Sequence, residues 1–165
     1  MIQVHDLRHV PADMAEAWAD HIAANMRQQD IDEVAASSAL NPREALIESL
    51  ALSTHAYCVE SDKLGAVAMF GAAPHPLPGV GIVWMLGTEG IRKEGIAIAK
   101  RTRRYFDELN AAYWMLWNFI DGRNTVSMRW LRWGGFELLA EHPRHGPQGR
   151  PFYTFARTTA PCAIP

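Results

Sequence analysis

"VGIVWMLGTEGIRKEGIAIAK", residues 80 to 100, decides the fold. Its first seven residues form an unbroken apolar run, as in a strand buried on both faces. A glycine-bearing turn follows, and a helical pattern then runs from about Lys93 to Leu109. A strand that passes through such a turn into a helix presents free backbone N–H groups and the positive end of a dipole. That combination holds anions, and phosphate is the usual one.

The pattern extends outward on both sides. "IQVHDL" is a short first strand, and from Ala12 the residues Met14, Trp18, Ile22 and Met26 recur every fourth position as a helical stripe. Polar "RQQDIDE" links it to a second helix, "NPREALIESLALS". That helix carries start signals: Asn41 as cap, Pro42 at the first position and Glu44 at the third. The period then changes to two, and "AYCVE", turn "SDK" and "LGAVAMFGAA" predict a hairpin. Pro74, Pro76, Pro78 and Gly79 make a loop before the opening stretch. Beyond it, "AYWMLWNF" predicts another buried strand. "NTVSMRWLRWGGFE" (124–137) then predicts a helix that stops at Gly134 and exits into the strand "FELL". "AEHPRHGPQGRP" is expected as a loop and "FYTFAR" as the last strand. The order is β-α-α-β-β-β-α-β-α-β-β, an α/β class with a mixed central sheet. One domain over residues 1–158 is expected, with 159–165 as a frayed tail.

Composition narrows the function. The chain has 165 residues, 48% apolar and 21% charged, with a formal net charge of −2. Nothing there draws it to nucleic acid or membrane as a whole. No apolar run approaches the ~20 residues of a membrane span, and the N-terminus lacks a signal-peptide layout. Cys58 and Cys162 suggest neither a disulfide framework nor a metal site, so a cytoplasmic setting is expected. The seven histidines lack metal-ligand spacing.

The turn "RKEGIA" is Arg92, Lys93, Glu94, Gly95, Ile96 and Ala97. Arg92, Lys93, Lys100, Arg101, Arg103 and Arg104 are six of the 16 basic residues, within thirteen positions. A pyrophosphate or a nucleotide 3′-phosphate would suit them. From charge alone, a solvated helix face is the favoured reading. Nucleic acid is a third reading, without an aromatic ladder to go with it. Asp30, Asp32, Glu33 and Glu89 could each serve as a general base if burial raises the carboxyl, and helix-end polarity is the favoured reading of the first three. Glu89, at the end of a buried strand, is the better placed candidate base.

"RKEGIA" resembles the Arg/Gln-x-x-Gly-x-Gly/Ala turn of the GNAT family of N-acetyltransferases. The stretch from Asn124 is similar to that family's Asn-x-x-Ala-x-x-Leu-Tyr-x-x-x-Gly-Phe pattern. Ser127 holds the alanine place, Gly135 and Phe136 the Gly-Phe, and the eleven-residue spacing from Asn124 to Gly135 is kept. The resemblance runs from "IQVHDL" to "FYTFAR". It implies that "GIVWML" and "YWMLWN" splay apart and take acetyl-CoA between them. The pyrophosphate would lie on Arg92 to Ala97, the thioester on N–H groups around Met85, Leu86 and Gly87, and Asn124 nearby. An unidentified amine would be the acceptor. The family's tyrosine acid is replaced by Leu131, which argues against catalysis.

A narrower resemblance rests on "DIDEVAAS", "WMLGTEGI", "DGRNTVSMRWLRWGGFE" and "HGPQGRPFYTFAR". These look like a small phage-encoded GNAT-like family of internal virion or internal core proteins. It implies a phage protein partner, and the host cytoplasm or the virion as location. Trp130 and Trp133, three apart on one helix, are read as wall rather than ligand contact.

Overall fold

Seven strands share one mixed sheet in the computed structural model, which describes residues 1–159. The strands are β1 (Ile2–Asp6), β2 (His55–Ser61), β3 (Gly65–Pro74), β4 (Val80–Gly87), β5 (Met115–Asp121), β6 (Glu137–His145) and β7 (Arg150–Thr158). The helices are α1 (Ala12–Ala24), α2 (Gln28–Ser37), α3 (Pro42–Leu52), α4 (Gly90–Lys93), α5 (Gly95–Ala112) and α6 (Thr125–Trp133). In space the strands run β1-β2-β3-β4-β5-β7-β6. Only β4 and β5 pair in parallel.

The expected strands and the α/β class stand. Three segments differ from expectation. The polar link after α1 is a helix, α2. Its inward face carries Asp30 and Val34 side by side, so charge alone does not make it a surface turn. The turn before α5 closes into the short helix α4. The loop predicted over 140–151 is mostly paired strand, with β6 and β7 joined at Gly146–Gly149. β6 lies at the sheet edge, where Pro143 costs no ladder bond on its open side. Gly146 needs its positive φ of 65°, and a Cβ there would lie 2.0 Å from the Ala36 carbonyl oxygen. The hairpin tip therefore rests on the end of α2. Of the expected tail, residues 160–165 with Cys162 lie outside the described residues.

Each face of the sheet has its own core. Ile98, Phe106 and Leu109 of α5 and Leu131 of α6 pack on Tyr57, Phe70, Leu116 and Phe155. Ile22 of α1 and Leu46 of α3 pack on Cys58 and Met69 from the other side. Fully burying such a Leu, Ile or Phe contributes roughly 1.5–3 kcal/mol. α3 begins with the predicted capping box: the Asn41 side chain accepts from the Glu44 N–H, and Glu44 accepts from the Asn41 N–H. Such a cap is worth about 1 kcal/mol. Trp130 is wall as expected, edge-on to Phe106 with centroids 5.6 Å apart. Trp133 is not: it is 42% exposed and carries Arg103 over its ring.

Candidate active site

The parallel pairing of β4 and β5 stops after Ile82 and Trp117. Both strands run on, to Gly87 and Asp121, and diverge. Asn118 sits at the apex of this gap. Its Nδ2 donates to the Val83 carbonyl at 2.8 Å, and its Oδ1 accepts from the Phe119 N–H at 2.7 Å. Backbone polar groups of a strand alternate sides. Val83 and Gly87 both turn theirs toward the gap, so Met85 between them does the same. Leu86, in register with Met69, turns its own toward β3.

A cavity of about 350 Å³ fills the gap and is lined from both faces of the sheet. On the α5–α6 side it meets Phe106, Trp130, Leu131 and Phe136. On the α2–α3 side it meets Val34, Leu40, Leu52, Trp84 and Phe119. Met85, Leu86 and Asn124 line it as well.

The wide end of the gap is closed by α2. Met26 bridges to Thr88, and the Arg27 N–H donates to the Gly87 carbonyl at 3.0 Å. The Gly87 N–H donates to the Asp30 carboxylate, also at 3.0 Å. Arg27 binds Asp30 through Nε and Nη2 at 2.8 and 2.7 Å. Its Nη2 then reaches through the gap to Ser127 Oγ of α6 at 2.7 Å. Arg27 is 3% exposed and Asp30 2%. Burial raises the Asp30 carboxyl above its ordinary value, against the pull of Arg27.

One turn further on, Glu33 holds the other strand. It accepts from Asn124 Nδ2 at 3.0 Å and from the Asp121 N–H at 3.4 Å. It lines the cavity and is half-buried. Burial pushes its carboxyl up to about 7; the Asn124 bond opposes this and the charge of Asp30 adds to it. A carboxyl that exchanges its proton near neutrality, inside a cavity, is suited to general base work.

The residues singled out in the sequence divide into three places. Asn124 is buried, caps α6 by accepting from the Ser127 N–H, and orients Glu33. Met85, Leu86 and Gly87 line or end the gap. Glu89 lies outside it, half-exposed and paired with Arg92 at 3.3 Å. In the "RKEGIA" turn, the N–H groups of Arg92, Lys93 and Glu94 donate back to Glu89 and Gly90 within α4. Gly95, Ile96 and Ala97 form the first turn of α5, which has no side-chain cap and whose N–H groups have no partner inside that helix. One Glu94 carboxylate oxygen is buried there without a hydrogen-bond partner. Arg27 was not expected in the site, and Glu33, a possible base by sequence, was read there as helix-end polarity. Their signal was the spacing of three between Arg27, Asp30 and Glu33, one face of a helix.

Among the described residues no helix is long and apolar enough to cross a membrane. No protein-family model matches the chain, and no curated protein matches it. Solved structures do. An acetyltransferase of the GNAT family from Streptococcus pneumoniae is 10% identical with a TM-score of 0.63, over 97% of this chain and 100% of that one. The ribosomal-protein-S18-alanine N-acetyltransferase from Escherichia coli is 11% identical with a TM-score of 0.64, over 100% and 99%. A spermidine N-acetyltransferase chimera from Vibrio cholerae is 9% identical with a TM-score of 0.64, over 95% of each. With its strand order, its single parallel pair and the gap that follows it, this chain has the fold of the GNAT acetyltransferases.

Proposed function

We infer that the protein transfers acetyl from acetyl-CoA to an amine, with Glu33 as general base. The observation that carries this is the cavity in the β4–β5 gap, lined from both faces of the sheet and bordered by a carboxyl poised near neutrality. Donor and acceptor would meet at this carboxyl. The diphosphate would lie at Gly95, Ile96 and Ala97, with Arg92 and Lys93 beside it. The thioester carbonyl would accept from the Met85 N–H. Glu33 removes one proton from the incoming ammonium. The freed nitrogen attacks the carbonyl carbon, a C–N bond forms and the C–S bond breaks. The second nitrogen proton leaves with the CoA thiol. Glu33 takes the role the sequence gave to Glu89. Leu131 offers no proton to the thiolate, so the thiol leaves without an acid from α6.

A rival reading keeps the fold and drops the chemistry: a phage-encoded virion or assembly component. Leu131 and the closure of the gap by Arg27 and Asp30 favour it. Calorimetric titration with acetyl-CoA separates the two. The acetyltransferase binds with a Kd in the micromolar range, and Arg92→Glu combined with Gly95→Asp weakens it at least tenfold. No heat from the native protein removes the acetyltransferase.

A further inference from the structure

We propose that the acceptor is a small primary amine on an aromatic body, seated between Trp84 and Phe119 with its ammonium toward Glu33. This rests on the acetyltransferase reading for the chemistry, but on its own observations for the binding. The α2–α3 side of the cavity is walled by Val34, Leu40, Leu52, Trp84, Leu86 and Phe119. Three of the polar groups among these walls are already engaged. The hydroxyls of Ser37 and Ser38 donate to the Val34 carbonyl. The Trp84 Nε1 donates to Ser53. A guest on this side therefore meets mostly apolar surface, with the Glu48 carboxylate and the Ser49 hydroxyl as the polar groups beside it. A peptide would leave several of its amides unpaired against these walls.

The aromatic surface continues outward from Phe119. Its ring is 4.9 Å from Trp117 and 4.1 Å from His145, and Trp117 lies 5.5 Å from His75. Burial and the neighbouring His142 lower His145 below the ordinary imidazole value, so at neutral pH this ring is an uncharged planar surface. Charge points the same way. The cavity is lined by the carboxylates of Asp30, Glu33 and Glu48 against the single guanidinium of Arg27, which Asp30 already engages. An excess of acid draws a cation. A volume of about 350 Å³ admits a small molecule and not a folded partner.

The experiment uses the full chain with 2-phenylethylamine, tryptamine, spermidine and an alanyl tripeptide. Saturation-transfer NMR without acetyl-CoA reads binding, and a CoA-thiol release assay reads transfer. The expected result is binding of the two aryl amines, with KM at least tenfold below those of the other two. Phe119→Ala raises KM for the aryl amines about tenfold and leaves the acetyl-CoA Kd within twofold. Aryl amines that bind but are never acetylated would retain this proposal and remove the transferase. Faster transfer to spermidine or the tripeptide, with no aryl amine bound, would overturn this proposal and keep the transferase. An equal loss for all four amines in Phe119→Ala would also overturn it.

Discussion

With Glu33 as the proposed general base, Glu33→Gln should remove most of the acetyl-transfer activity and make the protein more stable above pH 7. General base catalysis contributes about 10²–10⁴-fold, so kcat falls by that factor. The stability gain follows from the raised carboxyl. Glu33 moves from 4.5 to about 7 on folding, so the folded state holds this proton more tightly than the unfolded chain. Its contribution is complete below about pH 4.5 and is lost as pH rises through 7. Beyond that the ionised, enclosed carboxylate costs roughly 2–3 kcal/mol. Glutamine can accept from Asn124 and Asp121 without that charge. The variant therefore melts about 5–10 °C higher at pH 8 and within about 2 °C of native at pH 4.5. Scanning calorimetry at the two pH values reads this, beside kcat/KM of the native enzyme, which rises with an apparent pKa near 7. The same difference in Tm at both pH values would show that the carboxyl is not held against its charge.

Arg27→Ala has the largest effect on the fold. Removing one partner of a buried, hydrogen-bonded ion pair typically costs 3–5 kcal/mol. Here it strands Asp30, 2% exposed, and frees the Ser127 hydroxyl across the gap. Tm at pH 7 falls by roughly 10 °C. The loss is smaller in acid. Burial already raises the Asp30 carboxyl, and without the guanidinium it rises further. The neutral form, favoured as pH falls, needs no cation. A variant that loses as much at pH 4.5 as at pH 8 would place the damage in packing rather than in charge.

The two pairs of residues behind these results were not equally visible in the sequence. β4, β5 and α6 announce themselves because their apolar residues follow the period of the element and because Gly134 and Gly135 mark the exit. Gly135 does adopt a positive φ of 87°. Asn124 was singled out by the resemblance of its stretch to the family pattern, and it lines the cavity. α2 was missed because its buried face is charged. Arg27, Asp30 and Glu33 look like solvated polarity until a partner for each is known, and those partners lie 57 to 100 residues away in Gly87, Asn124 and Ser127. The continuation of β6 and β7 through 140–151 was missed because Pro143, Pro147 and Pro151 suggest a loop. Pro143 sits on the edge strand β6, Pro147 in the turn and Pro151 at the start of β7, places where proline is tolerated.

The short parallel seam also bears on how the chain comes together. Residues 55–87 form one three-stranded meander, and residues 115–158 hold β5, β6 and β7. Each group closes through pairings within its own stretch, and only three residue pairs of β4 and β5 join them along the ladder. Local pairings form before distant ones, because loop closure is cheaper. The ladder therefore predicts that the two halves dock last, with α2 as the clasp, although one core cluster spans both. Native-state hydrogen exchange should find the Gly87 amide, held by Asp30, opening at lower free energy than Val59 or Met69 in the first half. Gly87 protected as strongly as those strands would mean that the whole sheet opens as one.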